Sequence, residues 1–389
     1  MTRDVSNQNR LPGVHAPMSR RMMMPVVAVL AAAVAAGPAA MPAQARTDDI
    51  QHIYVAGIAS DGVVGIQVAP GVAPRLVGPS TRLSSIPSFK GVAASPDGRY
   101  LYAGPVGDPG IAAFAINDDG TLTEVPGSPV PSGPLGTLAV APDGKHLYVS
   151  AHENGGGTLT TYALTNGLPV RISTVQLDVT SLWAMLAVTP DGRNLYASDY
   201  FGNRVIHVPI GADGVATASG QRIATGFGPE NPGISRDGKY LYVCNEVTSN
   251  VSGYRIGPDG SLAELAGSPF PVGMAPHGIT SSPDGSRIYV PNTGSNDISG
   301  FRIDAEGALV PLPGSPYSAG TAPVNLPIQL QASRDGGRLY SIGAGTPDIA
   351  VTARLLTFDV RPDGSLQQSE APLDTGQLFV DGPTTTITP

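Results

Sequence analysis

The stretch Ser95–Ala103, SPDGRYLYA, returns down the chain as APDGKHLYV, TPDGRNLYA, SRDGKYLYV, SPDGSRIYV and SRDGGRLYS. Its aspartates fall at 97, 143, 191, 237, 284 and 335, at steps of 46, 48, 46, 47 and 51 residues. Each copy reads as a tight turn followed by a strand. Pro presets φ, Asp bonds its own backbone, Gly accepts positive φ, and the apolar and aromatic run behind them has strand propensity. A worn seventh copy, Asp49–Val55 (DIQHIYV), stands 48 residues ahead of Asp97 in the same register. Seven units of about 47 residues, a period typical of radial repeats, predict an all-β chain: a seven-bladed β-propeller with four antiparallel strands per blade.

One repeat shows how a blade is written. His277–Ser282 is an inner strand, Pro283-Asp284-Gly285 the turn, and Arg287–Asn292 a second strand; Asp297–Ile303 is a third, and Ala308–Leu312 a fourth. The inner strands (GVAAS, GTLAV, AMLAV, NPGIS, HGITS, PIQLQ) are dominated by small residues, as expected where seven strands converge on one channel. Pro126-Gly127-Ser128-Pro129, Ala266-Gly267-Ser268-Pro269 and Pro313-Gly314-Ser315-Pro316 stop strand pairing and set the crossovers to the next blade. The N-terminal unit offers a second, third and fourth strand but no inner one. Gly376–Val380 (GQLFV) resembles Gly136–Val140 (GTLAV), so it is expected to enter the first blade and close the ring without a free edge.

A closed array makes one domain of unusual size, so 389 residues do not require a second. With 41% hydrophobic and 14% charged residues the composition excludes disorder, and 49 glycines with 38 prolines fit many short strands and turns. Residues 1–45 differ in kind. Arg20 and Arg21 precede an Ala-, Val- and Met-rich run, and Ala43-Gln44-Ala45 offers a small-x-small cleavage site, which predicts an export signal open to the general or the twin-arginine route. Residues 46–389 then form a single propeller in an extracytoplasmic, secreted or periplasmic setting, with no membrane span after signal removal and a monomeric state expected. The signal contributes a net +3, so the remainder stands near −11 against −8 for the whole chain. An acidic protein without a basic cluster is not a nucleic-acid binder. Cys244, the single cysteine, cannot form an intramolecular disulfide and reads as a buried, inert thiol.

Topology locates the site before any motif does. All Asp-Gly turns lie on one face, so the start of each inner strand and the exit of each second strand share the other. Polar residues gather there in blades three to six: His152, Trp183, Asp199, Tyr200, Glu230, Asn231, Asn245, Glu246, His277 and Asn292. The bland explanation is that polar groups line a wet channel mouth because water is there. The sharper one is a ligand-binding rim with Glu246 and His277 as an acid–base pair. His152 beside Glu153 has no second histidine at matching spacing, so no metal site is expected, and no cofactor motif or Gly-x-Ser-x-Gly elbow occurs.

The repeated SPDG-xx-LYV, the GSPF crossover, and the segments Tyr196–Val205 (YASDYFGNRV) and Tyr242–Tyr254 (YVCNEVTSNVSGY) resemble the lactonase-type seven-bladed propellers. That family includes the bacterial propeller 6-phosphogluconolactonases and the carboxymuconate-cyclizing enzymes. The resemblance covers the whole mature chain and implies an active-site Glu in an Asn-Glu-Leu segment, matched by Asn245-Glu246-Val247. It also implies an Arg and a His from a Pro-Arg-His segment, where this chain has Pro229-Glu230-Asn231. A further expected His is replaced around Leu182-Trp183-Ala184, and the Asn-Arg pair of relatives is Asn292-Thr293. A glutamate in place of a cation repels a phosphosugar. Two readings follow. The missing cations favour an exported propeller with a degenerate lactonase site, whose rim binds a small molecule, a glycan or a protein partner. The alternative is a lactonase-like hydrolase of a neutral lactone or glycan that uses Glu246 and His277, and convergence of those two groups would support it.

Overall fold

A computed structural model describes residues 49–57, 62–82, 89–105, 110–132, 137–153, 156–181, 184–320, 326–344, 352–378, 380 and 383–389. The expected export signal and Trp183 lie outside these residues, as does the side chain of Glu153. The described chain is all-β, with no α-helix: seven antiparallel sheets form the blades of a closed propeller. Blades two to seven begin at the inner strands Phe89–Ala94, Thr137–Val140, Met185–Val188, Pro229–Ile234, Thr280–Ser281 and Leu326–Ala332. Each passes outward through the strand carrying the repeated Leu/Ile-Tyr.

The repeated turn is held by a small hydrogen-bond circuit. In blade five the Ser235 hydroxyl donates to Asp237 Oδ1 (2.7 Å), Asp237 accepts from the Lys239 N–H (3.1 Å), and Ser235 Oγ accepts from the Tyr240 N–H (2.9 Å). Gly238 completes it with φ of 73°, where a side chain would be strained. Burial works to raise the Asp237 carboxyl, but the bonds from Ser235 and Lys239 outweigh it and hold it below the usual carboxylate range. Blade three has Ala141 where the hydroxyl should be, and there Asp143 pairs with His146 instead (3.0 Å).

The strand tyrosine does more than pack. Tyr54, Tyr148, Tyr196, Tyr242 and Tyr289 are fully buried, each worth about 2–3 kcal/mol of burial. Their hydroxyls donate to the carbonyls of Gly120, Gly214, Gly260, Gly307 and Gly364 at 2.8–2.9 Å, each in the outer turn of the following blade. In blade two the equivalent Tyr102 hydroxyl is buried with no hydrogen-bond partner among the described residues. The turn facing it in blade three is a tight Asn166-Gly167 hairpin, with both residues at positive φ. The Gly-Ser-Pro crossovers have a brace of their own: Ser128, Ser268 and Ser315 accept from the backbone N–H of Ala113, Gly253 and Gly300 on the third strands.

Ring closure departs from the sequence expectation in one element. The inner strand of blade one is Thr385–Ile387, paired with Gln51–Ala56 through Ile53↔Ile387 and Val55↔Thr385. Residues 376–378 belong instead to Leu373–Leu378, which pairs with the third strand of blade seven. That is the place Phe270–Pro271 and Tyr317–Ser318 take in blades five and six. The resemblance of GQLFV to an inner strand therefore reflects a crossover segment of ordinary strand-forming composition. Closure is reinforced by the Thr388 hydroxyl, which accepts from the His52 N–H at 2.8 Å, and by the Gln51 amide, which donates to the Thr388 carbonyl at 2.6 Å.

Candidate functional site

Three of the expected rim residues meet on the face opposite the Asp-Gly turns, one from each of three consecutive blades. Tyr200 follows the second strand of blade four, Glu246 follows that of blade five, and His277 stands before the inner strand of blade six. Glu246 Oε2 accepts from the Tyr200 hydroxyl at 2.7 Å, and Glu246 Oε1 lies 3.4 Å from His277 Nε2. The Glu246 side chain is 26% exposed and that of His277 12%. His277 holds the Glu246 carboxyl below its ordinary range; burial works the other way, and the Tyr200 bond adds to the lowering. A carboxylate therefore faces an imidazole across a gap longer than the 2.7–2.9 Å of a formed charge-assisted bond. Such a contact can open toward a ligand.

The backbone around the pair is fixed. The Glu246 N–H donates to the Gly228 carbonyl (2.8 Å), the His277 N–H to Pro291 (3.1 Å), and the Asn231 amide to the His277 carbonyl (2.9 Å). Glu230 is buried on the inner strand of blade five, and its charge adds to the burial that pushes the Cys244 thiol up. That thiol is enclosed and donates to the Gly278 carbonyl at 3.1 Å.

Asp199, Asn245 and Asn292 are fully buried and tie down their own hairpins. Asp199 accepts from the Thr180 and Ser181 N–H and hydroxyl groups and from Arg204 Nε at 3.0 Å. Asn245 donates to Asn250 and Ser252, and Asn292 donates to Asp297 and Ser299. Gly226 and Gly273 leave room for these amides: a methyl at either would fall within 2.8 Å of the asparagine nitrogen. His152 lies on the second strand of blade three, two blades from Glu246, with Nδ1 enclosed.

The other described histidines serve the fold. His52 and His207 sit over the turn glycines Gly120 and Gly260, and burial pulls both imidazoles down. His146 packs over Gly214 while pairing with the nearby Asp143 of its own turn. Among the described residues no cluster of three His, Cys, Asp or Glu could hold a metal ion. Sequence reasoning chose Glu246 and His277 by their place in the repeat, and named Tyr200 as a rim residue without its bond to Glu246. It missed the exposed Phe201, Phe227, Val247 and Met274 on the loops around them.

A seven-bladed propeller whose strand-exit face carries a carboxylate–imidazole pair is the class that fold and geometry define. A family model described as lactonase, 7-bladed beta-propeller, matches residues 134–233 and 169–275, a span that includes Glu246. The 6-phosphogluconolactonase of Yersinia enterocolitica is 26% identical over 179 residues, covering 43% of this chain and 50% of the relative. The matched region thus spans about half the length of the curated relatives it resembles. A solved structure from Bacteroides uniformis superposes with a TM-score of 0.71 at 17% identity, covering 87% of this chain and 100% of the other. The periplasmic gluconolactonase of Pseudomonas aeruginosa gives 0.68 at 16% identity, over 87% of this chain and 99% of its own. At these identities the superpositions speak for the fold alone. The chain is a seven-bladed propeller that is similar to the lactonase family over residues 134–275.

Proposed function

We propose that this propeller is an exported, monomeric hydrolase of an uncharged lactone. The observation that carries the reading is the 3.4 Å approach of Glu246 Oε1 to His277 Nε2, made by residues of different blades and shared with Tyr200. Water enters at the 3.4 Å gap and attacks the lactone carbonyl carbon, and His277 Nε2, the ring nitrogen on that side, takes its proton. The resulting imidazolium is stabilised by the Glu246 carboxylate, the ring C–O bond breaks, and the same proton passes to the departing alkoxide, giving a hydroxy acid. Glu230 stands where the family pattern places an arginine, so the ring that is opened carries no phosphate. The extracytoplasmic setting rests on the export signal read in residues 1–45.

The test is a panel of lactones and glycosides assayed with wild type and Glu246→Gln. Lactone opening is expected in the wild type, with kcat/KM reduced about 10²–10⁴-fold by the substitution. No turnover of any lactone, or a rate indifferent to Glu246, overturns it. The same missing arginine supports a second reading, a degenerate site that binds a small molecule, a glycan or a protein partner without turnover. Saturable binding without hydrolysis would identify it.

A further inference from the structure

Nine large hydrophobic side chains are exposed among the described residues, and four of them ring the Glu246–His277 pair: Phe201 (65%), Phe227 (59%), Val247 (64%) and Met274 (58%). These include the two exposed phenylalanines. They come from four separate loops of blades four to six, so no single amphipathic element explains the grouping.

The loops are knit to one another and to the site. The Phe201 ring meets Tyr200 edge-on at 5.2 Å, and Tyr200 holds the Glu246 carboxylate. The Val247 N–H donates to the Phe227 carbonyl at 3.1 Å, and the Ala275 N–H, next to Met274, donates to Ser249 at 3.4 Å. Gly228 packs beside both Val247 and the Tyr200 ring, and its carbonyl accepts from the Glu246 N–H. A methyl group there would stand 3.0 Å from Val247 Cγ2 and 3.2 Å from the Tyr200 ring, and its φ of 69° disfavours any side chain. The bare glycine lets the Phe227 loop pack directly against Val247 and the Tyr200 ring.

Resting on the lactone reading, we propose that Phe201, Phe227, Val247 and Met274 form an apolar collar that receives a hydrocarbon chain attached to the lactone ring, making alkyl-substituted lactones the substrate class. Charge points the same way. The segments 199–203, 225–231, 245–249 and 272–278 contain no Lys or Arg, while Glu230 and Glu246 are acidic. These segments hold no Lys or Arg to draw an anionic substituent, whereas apolar surface beside a half-shielded polar pair suits a molecule with one polar end.

The probes are γ-butyrolactone and γ-decalactone, which share a ring and differ by a six-carbon chain. Binding is measured by calorimetry on the Glu246→Gln protein, so that turnover does not intervene, and hydrolysis on wild type. The chain is expected to tighten binding about 10–100-fold. Adding Phe201→Ser and Phe227→Ser, both exposed positions where the fold tolerates change, is expected to bring the two lactones within about threefold of each other. Equal affinities at the outset, or a chain preference that survives both serines, overturns the collar. A chain preference without wild-type hydrolysis keeps the collar and defeats the hydrolytic reading, so the two failures separate. A concentration-dependent dimer dissolved by the serines, with neither lactone bound, assigns the patch to a second copy of the chain and overturns the proposal.

Discussion

The two faces of the disc are built from the same seven repeats, yet one is nearly uniform and the other is not. On the Asp-Gly face, Ser95, Ser235, Ser282 and Ser333 each repeat one circuit with their aspartates. On the opposite face the residue ending the second strand in blades four to six is still conservative in role: Asp199, Asn245 and Asn292 each brace a hairpin. The next residue is not, being Tyr200, Glu246 and Thr293. Within one repeat, adjacent positions are therefore divided between holding a loop and equipping it.

That division can be broken by exchanging the outcomes. Asp199→Ala leaves Arg204 and four donors without their acceptor, so it should lower stability by about 3–5 kcal/mol, read by chemical denaturation. Glu246→Gln, one step further along its own repeat, should cut kcat/KM about 10²–10⁴-fold while shifting stability by about 1 kcal/mol or less, because the ion pair is partly exposed. If both variants lost stability equally, the two positions would share one role. Acid sharpens the same contrast. The Glu246 carboxyl is depressed in the folded protein, so its stabilising share is complete above the ordinary value of 4.5 and lost as the pH falls through the depressed one. Tyr200→Phe, removing one bond to the carboxylate, should move that loss of stability to higher pH. Smaller effects are expected in the tyrosine ladder. Tyr242→Phe should cost about 1–1.5 kcal/mol, whereas Tyr102→Phe, whose hydroxyl is already orphaned, should be neutral or slightly stabilising.

The blades were legible because turn chemistry recurs at fixed intervals and strand composition follows it. The closing strand was not, because Thr384–Ile387 carries neither Asp-Gly turn nor aromatic, while the crossover at 373–378 lacks the Gly-Ser-Pro that marks two of its counterparts. Counting along the repeat reached Glu246 and His277, since strand exits and strand starts must share a face. It could not reach the Tyr200–Glu246 bond or the exposed Phe227. Both depend on how neighbouring blades pack, which no single repeat encodes.

The hydroxyl-to-glycine bonds run in one direction around the disc, each blade reaching forward to grip its successor. Between blades seven and one Arg338 substitutes, donating to the Val72 carbonyl at 2.6 Å. At the joint between blades two and three the equivalent Tyr102 hydroxyl makes no such bond among the described residues, and Tyr102 packs there against Leu147 and Val149. A wheel whose spokes are latched unequally should breathe unequally, and backbone amides beside the Tyr102 joint, held there by apolar packing in place of that hydroxyl bond, are expected to trade protons for deuterons sooner than those beside Tyr242.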